Sequence, residues 1–112
     1  MVSGWIGIDL DGTLAQYDGW RDGEIGVPVP LMLQRVKEWI AKGITVKIVT
    51  ARANVPDMIP PVQDWLEAHG LPRLEVTAIK DFSMIELWDD RCVPVETNTG
   101  IVKIVRRDFT KL

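Results

Sequence analysis

Short apolar runs alternate along the chain with longer stretches in which apolar side chains recur at helical spacing. Four short runs are predicted to be strands: residues 5–10, 44–49, 75–78 and 84–88, of which the first two have the apolar character of buried strands. Helical spacing covers residues 31–42 and 60–69, and Gly43 and Gly70 suit the positions where these helices end. Two further apolar segments are predicted to be strand-like: residues 93–96 and 101–105. Strands that alternate with helices predict an α/β fold with a parallel sheet and right-handed crossovers.

The composition is typical of one globular domain, which we expect to cover residues 1–112. Hydrophobic residues make up 46% of the chain and charged residues 26%. The formal net charge of −3 argues against a general affinity for nucleic-acid backbones or anionic membranes. The one cysteine, Cys92, excludes an internal disulfide, and no apolar run is long enough to span a bilayer. We therefore expect a cytoplasmic protein.

Two carboxylates stand at the end of the first predicted strand. Asp9 and Asp11 are two positions apart, and side chains at that spacing point to the same side of an extended chain. Carboxylates that lie close together repel each other, and a divalent cation relieves the repulsion. Gly12 allows the chain to turn away sharply because it has no Cβ. The simpler interpretation of this segment is an Asp-Gly turn of the kind that joins two strands of a hairpin.

Polar residues also follow the other three predicted strands. Thr50 and Arg52 follow the second strand, Lys80 follows the third, and Asp89 and Asp90 follow the fourth. Ligands bind at the carboxyl ends of the strands in parallel sheets of this kind. The sequence therefore predicts that these side chains and the acidic pair of the first strand meet in one site.

These patterns, in this order, resemble the haloacid dehalogenase (HAD) superfamily of phosphohydrolases, and in particular its small capless members. The resemblance rests on four motifs: Asp9-Leu10-Asp11-Gly12-Thr13, Val49-Thr50-Ala51-Arg52, Lys80, and Asp89-Asp90-Arg91. It covers the chain from the first strand to about residue 94. It implies a three-layer, doubly wound α/β core with strand order 5-4-1-2-3 and no cap domain. It also implies a Mg²⁺-dependent phosphatase that acts through an aspartyl phosphate.

The resemblance implies a role for each motif. Asp9 would be the nucleophile, and Asp11 would be the general acid and base. The phosphoryl oxygens would be bound by four residues: Thr50, Lys80, Gly12 and Ala51. One Mg²⁺ would be held by Asp9, the main-chain carbonyl of Asp11 and Asp90, with Asp89 as the competing ligand. The chemistry is consistent with these roles. A carboxylate nucleophile divides a very slow hydrolysis into two steps, and nearby positive charge offsets the negative charge of the phosphoryl group.

The loop over residues 15–30 is too short to fold as a cap, so we expect an open site with this loop as a flap. Trp20 or Tyr17 would stack on a flat leaving group, and Arg21 would pair with a second phosphate or a carboxylate. Arg52 is a further candidate substrate contact. The implied partners are a phosphorylated small molecule, a nucleotide or the phosphorylated end of a macromolecule, because the Asp-Asp-Arg ending is similar to that of deoxyribonucleotidases and polynucleotide 3′-phosphatases. The alternative is that Trp20 packs on the first helix and meets no ligand.

Other interpretations of the same residues stay open. Lys80 could be a solvated loop residue, Asp89 could bond nearby backbone, and Arg52 could pair with Asp89 or Asp57. At the level of function, a signalling receiver domain is disfavoured because the second strand ends at Thr50 without an acidic acceptor. A non-catalytic module that kept the fold and binds a phosphorylated ligand or a partner is the other alternative. A metal-dependent turnover assay separates these classes.

Overall fold

A parallel sheet forms the centre of the fold, as the sequence predicts, and it has four strands within the described residues. The computed structural model describes residues 3–103. The strands are β1 (Trp5–Asp9), β2 (Thr45–Val49), β3 (Val76–Thr77) and β4 (Met84–Trp88), in the spatial order β3-β2-β1-β4. Because β1 pairs in parallel with both β2 and β4, the carboxyl ends of these three strands lie side by side.

Two helices connect the strands. α1 (Pro30–Ala41) joins β1 to β2, and α2 (Ile59–Ala68) joins β2 to β3 after two short 3-10 helices (Ala51–Asn54 and Pro56–Met58). Gly43 follows α1 with a φ of 80°, a conformation that ends a helix and that a residue with a Cβ rarely adopts. Neither helix of the described residues has the length and apolar character that crossing a lipid bilayer requires.

Both helices pack on the same face of the sheet. Side chains alternate along β1, so Ile6 and Ile8 point to one face and Trp5 and Gly7 point to the other. Ile6 and Ile8 share a buried cluster with residues of β2 and of both helices: Val46, Ile48, Met32, Val36, Val62 and Leu66. The steps from β1 to β2 and from β2 to β3 run in the same direction, and right-handed crossovers then place α1 and α2 on one side.

The opposite face of the sheet carries the indole of Trp5. The ring lies across Gly7, where an added Cβ would come within 3.0 Å of the indole carbon Cζ3. The indole Nε1 donates a 2.9 Å hydrogen bond to Asp81, and the ammonium of Lys47 lies 4.5 Å from the centre of the ring. Trp5 is therefore buried although neither helix of the described residues packs over it.

The third layer and the fifth strand that the resemblance implies are not found within residues 3–103. The connection between β3 and β4 is a loop without a helix. Residues 93–96 form no strand, and Val95 makes a single antiparallel bridge with Val102. Pro94 has no N–H to contribute to a ladder, which accounts for the wrong strand prediction here. The strand order therefore differs from 5-4-1-2-3 because strand five is not found within residues 3–103. Of the segment 101–105, which was predicted to be strand-like, residues 104 and 105 lie outside the described residues.

Candidate active site

A cleft of about 660 Å³ opens where the carboxyl ends of β1, β2 and β4 meet. Most of the residues predicted from the sequence line it: Asp9, Asp11, Tyr17, Trp20, Thr50, Ala51, Arg52, Asp89 and Asp90. The parallel topology explains the convergence, because each of these side chains ends a strand, follows one or lies in the loop after β1. The structure thus brings together residues that lie far apart in the chain, whereas their chemical roles stay predictions.

Three carboxylates converge at the ends of β1 and β4. One oxygen atom from each of Asp9, Asp89 and Asp90 lies within 4.8 Å of the other two. The hydroxyl of Thr13 lies 3.3 Å from Oδ2 of Asp9 and 3.2 Å from Oδ1 of Asp90, and it accepts a 3.0 Å hydrogen bond from the backbone N–H of Asp90. A hydroxyl has one proton, so Thr13 can donate to only one of the two carboxylates at a time.

The turn after β1 brings Asp90 against the backbone of Gly12. Gly12 has a φ of 94°, and a Cβ at this position would lie 2.6 Å from Oδ2 of Asp90. A glycine is therefore required both by the backbone conformation and by the approach of the carboxylate. Gly12, predicted to bind phosphate, lies beside the acidic cluster.

Burial, together with the neighbouring carboxylates, raises the pKa of Asp9 from its ordinary value of 3.8 to about 7. Burial is the largest cause, followed by the charge of Asp89 and by the hydrogen bond and charge of Asp90, whereas the hydrogen bond from Thr13 lowers the pKa. A bound cation would offset the repulsion among the three carboxylates and favour their ionised forms. Oxygen-only ligands at this spacing suit a hard divalent cation.

Asp89 also forms a local hydrogen bond with the backbone. Its Oδ1 accepts a 2.7 Å hydrogen bond from the N–H of Arg91, as one of the sequence interpretations proposes. This bond fixes the side chain in the turn after β4 and leaves Asp89 within the acidic cluster. Both members of the Asp89–Asp90 pair therefore lie close enough to act as metal ligands with Asp9.

The side chain of Asp11 lies apart from the acidic cluster and is held by Arg52. The Nε and Nη2 atoms of Arg52 donate hydrogen bonds of 2.8 and 2.9 Å to the two carboxylate oxygens of Asp11. Arg52 thus pairs with Asp11, and the interpretations in which it pairs with Asp89 or Asp57 are wrong. The predicted metal ligand at Asp11 is its main-chain carbonyl. The position of the Asp11 side chain therefore does not test that prediction.

Thr50 and Ala51 form the edge of the cleft at the end of β2. Thr50 is buried, its backbone N–H donates to Thr77, and its hydroxyl oxygen accepts a 3.2 Å hydrogen bond from the N–H of Arg52. This arrangement leaves the hydroxyl proton of Thr50 available as a donor. Ala51 is the exposed first residue of the 3-10 helix and contributes backbone to the lining of the cleft.

Three residues predicted to be in the site do not line this cleft: Gly12, Lys80 and Arg21. Lys80 is exposed in the loop after β3. Burial and the charges of Asp89, Asp9 and Asp90 raise the pKa of the Cys92 thiol, and the charge of Lys80 opposes them with a smaller effect. Arg21 forms an exposed 2.8 Å ion pair with Asp18 and lines a second cavity of about 550 Å³. The interpretation of Lys80 as a solvated loop residue fits its exposure, and its loop lies near enough to Cys92 for the two side chains to interact electrostatically.

The two aromatic side chains of the loop after β1 face the cleft. Tyr17 and Trp20 are 48% and 58% exposed, and both line the cavity. The Trp20 ring lies with its centre 4.9 Å from the guanidinium carbon of Arg52. Trp20 thus lies in the site, and more than half of its surface stays available to a ligand.

Several residues of the site were not singled out from the sequence. Thr13 belongs to the first motif, but its contacts with two carboxylates follow from the geometry of the turn after β1. The sequence signal that could have indicated these contacts is the position of Thr13 four residues after Asp9. Asn54 and Met58 also line the cleft, as does Arg91, which belongs to the fourth motif of the resemblance. Asn54 and Met58 lie on the 3-10 helices after β2, and no sequence pattern distinguishes them from surface residues.

The chain shares its fold with a protein of known structure. Its sequence matches no protein-family model and no curated protein. The fold is similar to that of a conserved protein from Bacteroides thetaiotaomicron, with a TM-score of 0.64 and 19% sequence identity over 81% of this chain and 78% of that one. At this identity the likeness establishes the α/β fold and carries no activity from one protein to the other.

Proposed function

We propose that this protein is a Mg²⁺-dependent phosphomonoester hydrolase of the HAD type that acts through an aspartyl phosphate on Asp9. The observation that carries the proposal is the convergence of Asp9, Asp89 and Asp90 at adjacent strand ends, beside the hydroxyl of Thr50. A carboxylate nucleophile needs nearby positive charge before it can approach a phosphoryl group, and these three carboxylates have the donor type and spacing to hold a divalent cation.

In the first step, an oxygen of Asp9 attacks phosphorus and the ester P–O bond breaks. The leaving oxygen takes a proton from Asp11, and the phosphoryl group stays on Asp9 as a mixed anhydride. Thr50 donates its hydroxyl proton to a phosphoryl oxygen. For this step Asp11 must carry a proton and turn one oxygen toward the leaving group, so it must give up at least one hydrogen bond from Arg52.

In the second step, water attacks the phosphorus of the aspartyl phosphate. Asp11 takes a proton from the water, the bond between phosphorus and the Asp9 oxygen breaks, and inorganic phosphate leaves. Asp9, Asp89 and Asp90 would hold the Mg²⁺, which supplies positive charge against the phosphoryl oxygens when bound. Asp11 ends the cycle protonated and ready for the next ester.

The test is turnover of p-nitrophenyl phosphate with Mg²⁺, compared among the parent protein, Asp9→Asn and Asp64→Asn. Asp64 is an exposed residue of α2 that pairs with Arg73, far from the cleft, so its variant controls for the loss of a surface charge. We expect Asp9→Asn to lose about a thousandfold or more in kcat and Asp64→Asn to keep the parent rate. Parent-like turnover by Asp9→Asn contradicts the proposal.

A second measurement identifies the intermediate. Acid-quenched protein should carry one phosphoryl group on the peptide that contains Asp9, and Asp11→Asn should accumulate this species because the second step has lost its base. A chelator should abolish its formation in both proteins. Phosphorylation on any other peptide would exclude Asp9 as the nucleophile.

A non-catalytic phospho-ligand module is the second candidate. It is favoured by one observation, namely that Arg52 occupies both carboxylate oxygens of Asp11, the residue on which proton transfer depends. Such a module would bind inorganic phosphate together with Mg²⁺ in a calorimetric titration but would turn over no phosphomonoester in a broad substrate screen. Turnover of any ester in that screen decides for the enzyme.

A further inference from the structure

Arg52 joins three parts of the site through one buried side chain. It is 6% exposed, and its guanidinium bonds both oxygens of Asp11. On its other side, Nη1 donates a 2.7 Å hydrogen bond to the carbonyl of Gly23, and Nη2 lies 3.5 Å from the carbonyl of Glu24. The ring of Trp20 covers one face of the guanidinium. Gly23, Glu24 and Trp20 all belong to residues 16–29, which we call the flap loop; it is the predicted flap of residues 15–30 without Ala15, which forms a bridge, and Pro30, which begins α1.

The flap loop and the Asp11 carboxylate are bridged only by Arg52 among the described residues. Both side-chain hydrogen bonds of Asp11 within residues 3–103 come from Arg52. Within the flap loop, backbone hydrogen bonds run from Gln16 to Val27 and from Glu24 to Arg21. The C-terminal part of the loop is anchored to the fold, because Trp65 donates a hydrogen bond to the carbonyl of Gly26, Val29 donates one to the carbonyl of Leu14, and Ile25 packs against the core. Residues 16–22 are exposed, so the position of this part of the loop depends on fewer contacts.

A buried guanidinium links the two sides energetically. Its charge is tolerated in the interior because a carboxylate and backbone carbonyls bond its N–H groups. If the flap loop moves away, the N–H that bonds Gly23 loses its partner, and if the carboxylate of Asp11 is lost, the charge of Arg52 loses its counterion. Each loss weakens the hold of Arg52 on the other partner, and such coupling is reciprocal.

We propose that Arg52 is a positioning residue that couples the closed position of the flap loop to the orientation of the Asp11 carboxylate. The bidentate fork fixes Asp11 only while the loop carbonyls hold the other side of the guanidinium. Movement of the loop for ligand entry then loosens the fork and frees Asp11 to turn toward the acidic cluster. The consequence for catalysis rests on the proposed phosphatase function, whereas the coupling itself does not.

Amide hydrogen exchange of the ligand-free protein tests the coupling without any assay of activity. The reporter is the amide of Glu24, which is hydrogen-bonded within the flap loop. We expect Asp11→Ala to speed its exchange about tenfold, as expected for the loss of a charge-assisted hydrogen bond, although Asp11 makes no side-chain bond to the loop. Arg52→Ala should have the same effect, and the double variant should exchange no faster than either single variant.

The control is Arg73→Ala, which removes an exposed arginine that pairs with Asp64 and Glu67 on α2. It should leave the exchange of Glu24 at the parent rate. Protected amides of Ile8 and Ile48 report whether each variant is folded, and Arg52→Lys, which keeps the charge but not the fork, replaces Arg52→Ala if that variant does not fold. Exchange at Glu24 that is unchanged in Asp11→Ala, or effects that add in the double variant, would overturn the coupling.

Turnover gives a separate readout. If the proposed phosphatase function holds, Arg52→Lys should lower kcat by about tenfold or more with a smaller change in KM, because Asp11 acts in the chemical step rather than in binding. Coupled exchange in a protein that turns over no ester would support the positioning role and contradict the proposed function. Uncoupled exchange in a protein that hydrolyses phosphomonoesters would contradict the positioning role of Arg52 and support the proposed function.

Discussion

Thr13 and Asp90 connect the two turns that follow the neighbouring strands β1 and β4. The backbone N–H of Asp90 donates to the Thr13 hydroxyl at 3.0 Å, and the hydroxyl lies 3.2 Å from the Asp90 carboxylate. The same hydroxyl reaches the carboxylate of Asp9 at 3.3 Å. Thr13 therefore sets the spacing of two of the three carboxylates in the acidic cluster.

Replacement of Thr13 by valine should weaken binding of a divalent cation. Valine has nearly the same shape but cannot bond either carboxylate, and loss of a group that orients metal ligands typically lowers affinity by about tenfold to a hundredfold. Calorimetric titration with Mg²⁺ measures the change. Thr45→Val is the matched control, because Thr45 is exposed at the start of β2, away from the cleft. Equal affinities in the two variants would exclude this role for Thr13.

Replacement of Gly12 by alanine should separate backbone strain from damage to the site. Gly12 and Gly43 both have positive φ, but only Gly12 faces a carboxylate, that of Asp90, whereas an added Cβ at Gly43 meets nothing within 4 Å. Each alanine variant should lose about 1–2 kcal/mol in free energy of unfolding from the strained φ alone. Only Gly12→Ala should also lose affinity for Mg²⁺, because its Cβ displaces Asp90. Thermal unfolding and calorimetry measure the two effects, and retained affinity in Gly12→Ala contradicts the prediction.

The raised pKa of Asp9 predicts that the metal-free protein loses stability as the pH rises from about 4 to about 7. An aspartate in the unfolded chain titrates near 3.8, whereas the pKa of Asp9 in the folded protein is about 7. Between these values the folded state keeps a proton that the unfolded state has released, so the free energy of unfolding falls with pH and levels off above 7. Because Asp9 is only half-buried and solvent screens its charge, we expect a loss of about 1 kcal/mol.

Unfolding in the presence of a chelator, measured across this pH range, tests the effect of Asp9. Asp9→Asn cannot ionise at this position, so it should lack this part of the decline, and it also relieves the repulsion between Asp9 and the carboxylates of Asp89 and Asp90. The difference between the two proteins therefore reports the ionisation of Asp9 within the acidic cluster. Parallel stability curves for the parent and Asp9→Asn would show that the pKa of Asp9 is not raised.

The elements of the fold could be predicted because their signals are local. β4 was predicted with the observed bounds, and the ends of α1 and α2 were predicted to within one residue, since apolar spacing and the glycines after the helices mark them. The fifth strand was wrong because a short apolar run beside Pro94 does not specify a pairing partner. The third layer was implied by the resemblance alone, and the loop between β3 and β4 has no helix to build it.

The site was predictable as a set of residues but not as a set of contacts. Strand ends in a parallel sheet converge, so Asp9, Thr50 and Asp90 could be placed together before any distance was known. The pair between Arg52 and Asp11 spans 41 positions and depends on the 3-10 turn that begins at Ala51, which no periodicity predicts. Such a contact depends on the assembled fold, and the sequence therefore left Arg52 with several alternative partners.

Replacement of Trp20 by alanine should slow hydrolysis of a nucleoside monophosphate more than that of a small aliphatic phosphate. One face of the indole covers the guanidinium of Arg52, and the side chain is 58% exposed, so its free face can stack on a flat leaving group that enters the cleft. Loss of such stacking should reduce kcat/KM for the nucleotide by about tenfold to a hundredfold. Trp20→Phe, which keeps a smaller aromatic face, should recover part of the loss. An equal decline on both substrates would instead assign Trp20 a role in holding the flap loop over Arg52, and parent rates on both would exclude Trp20 from the site.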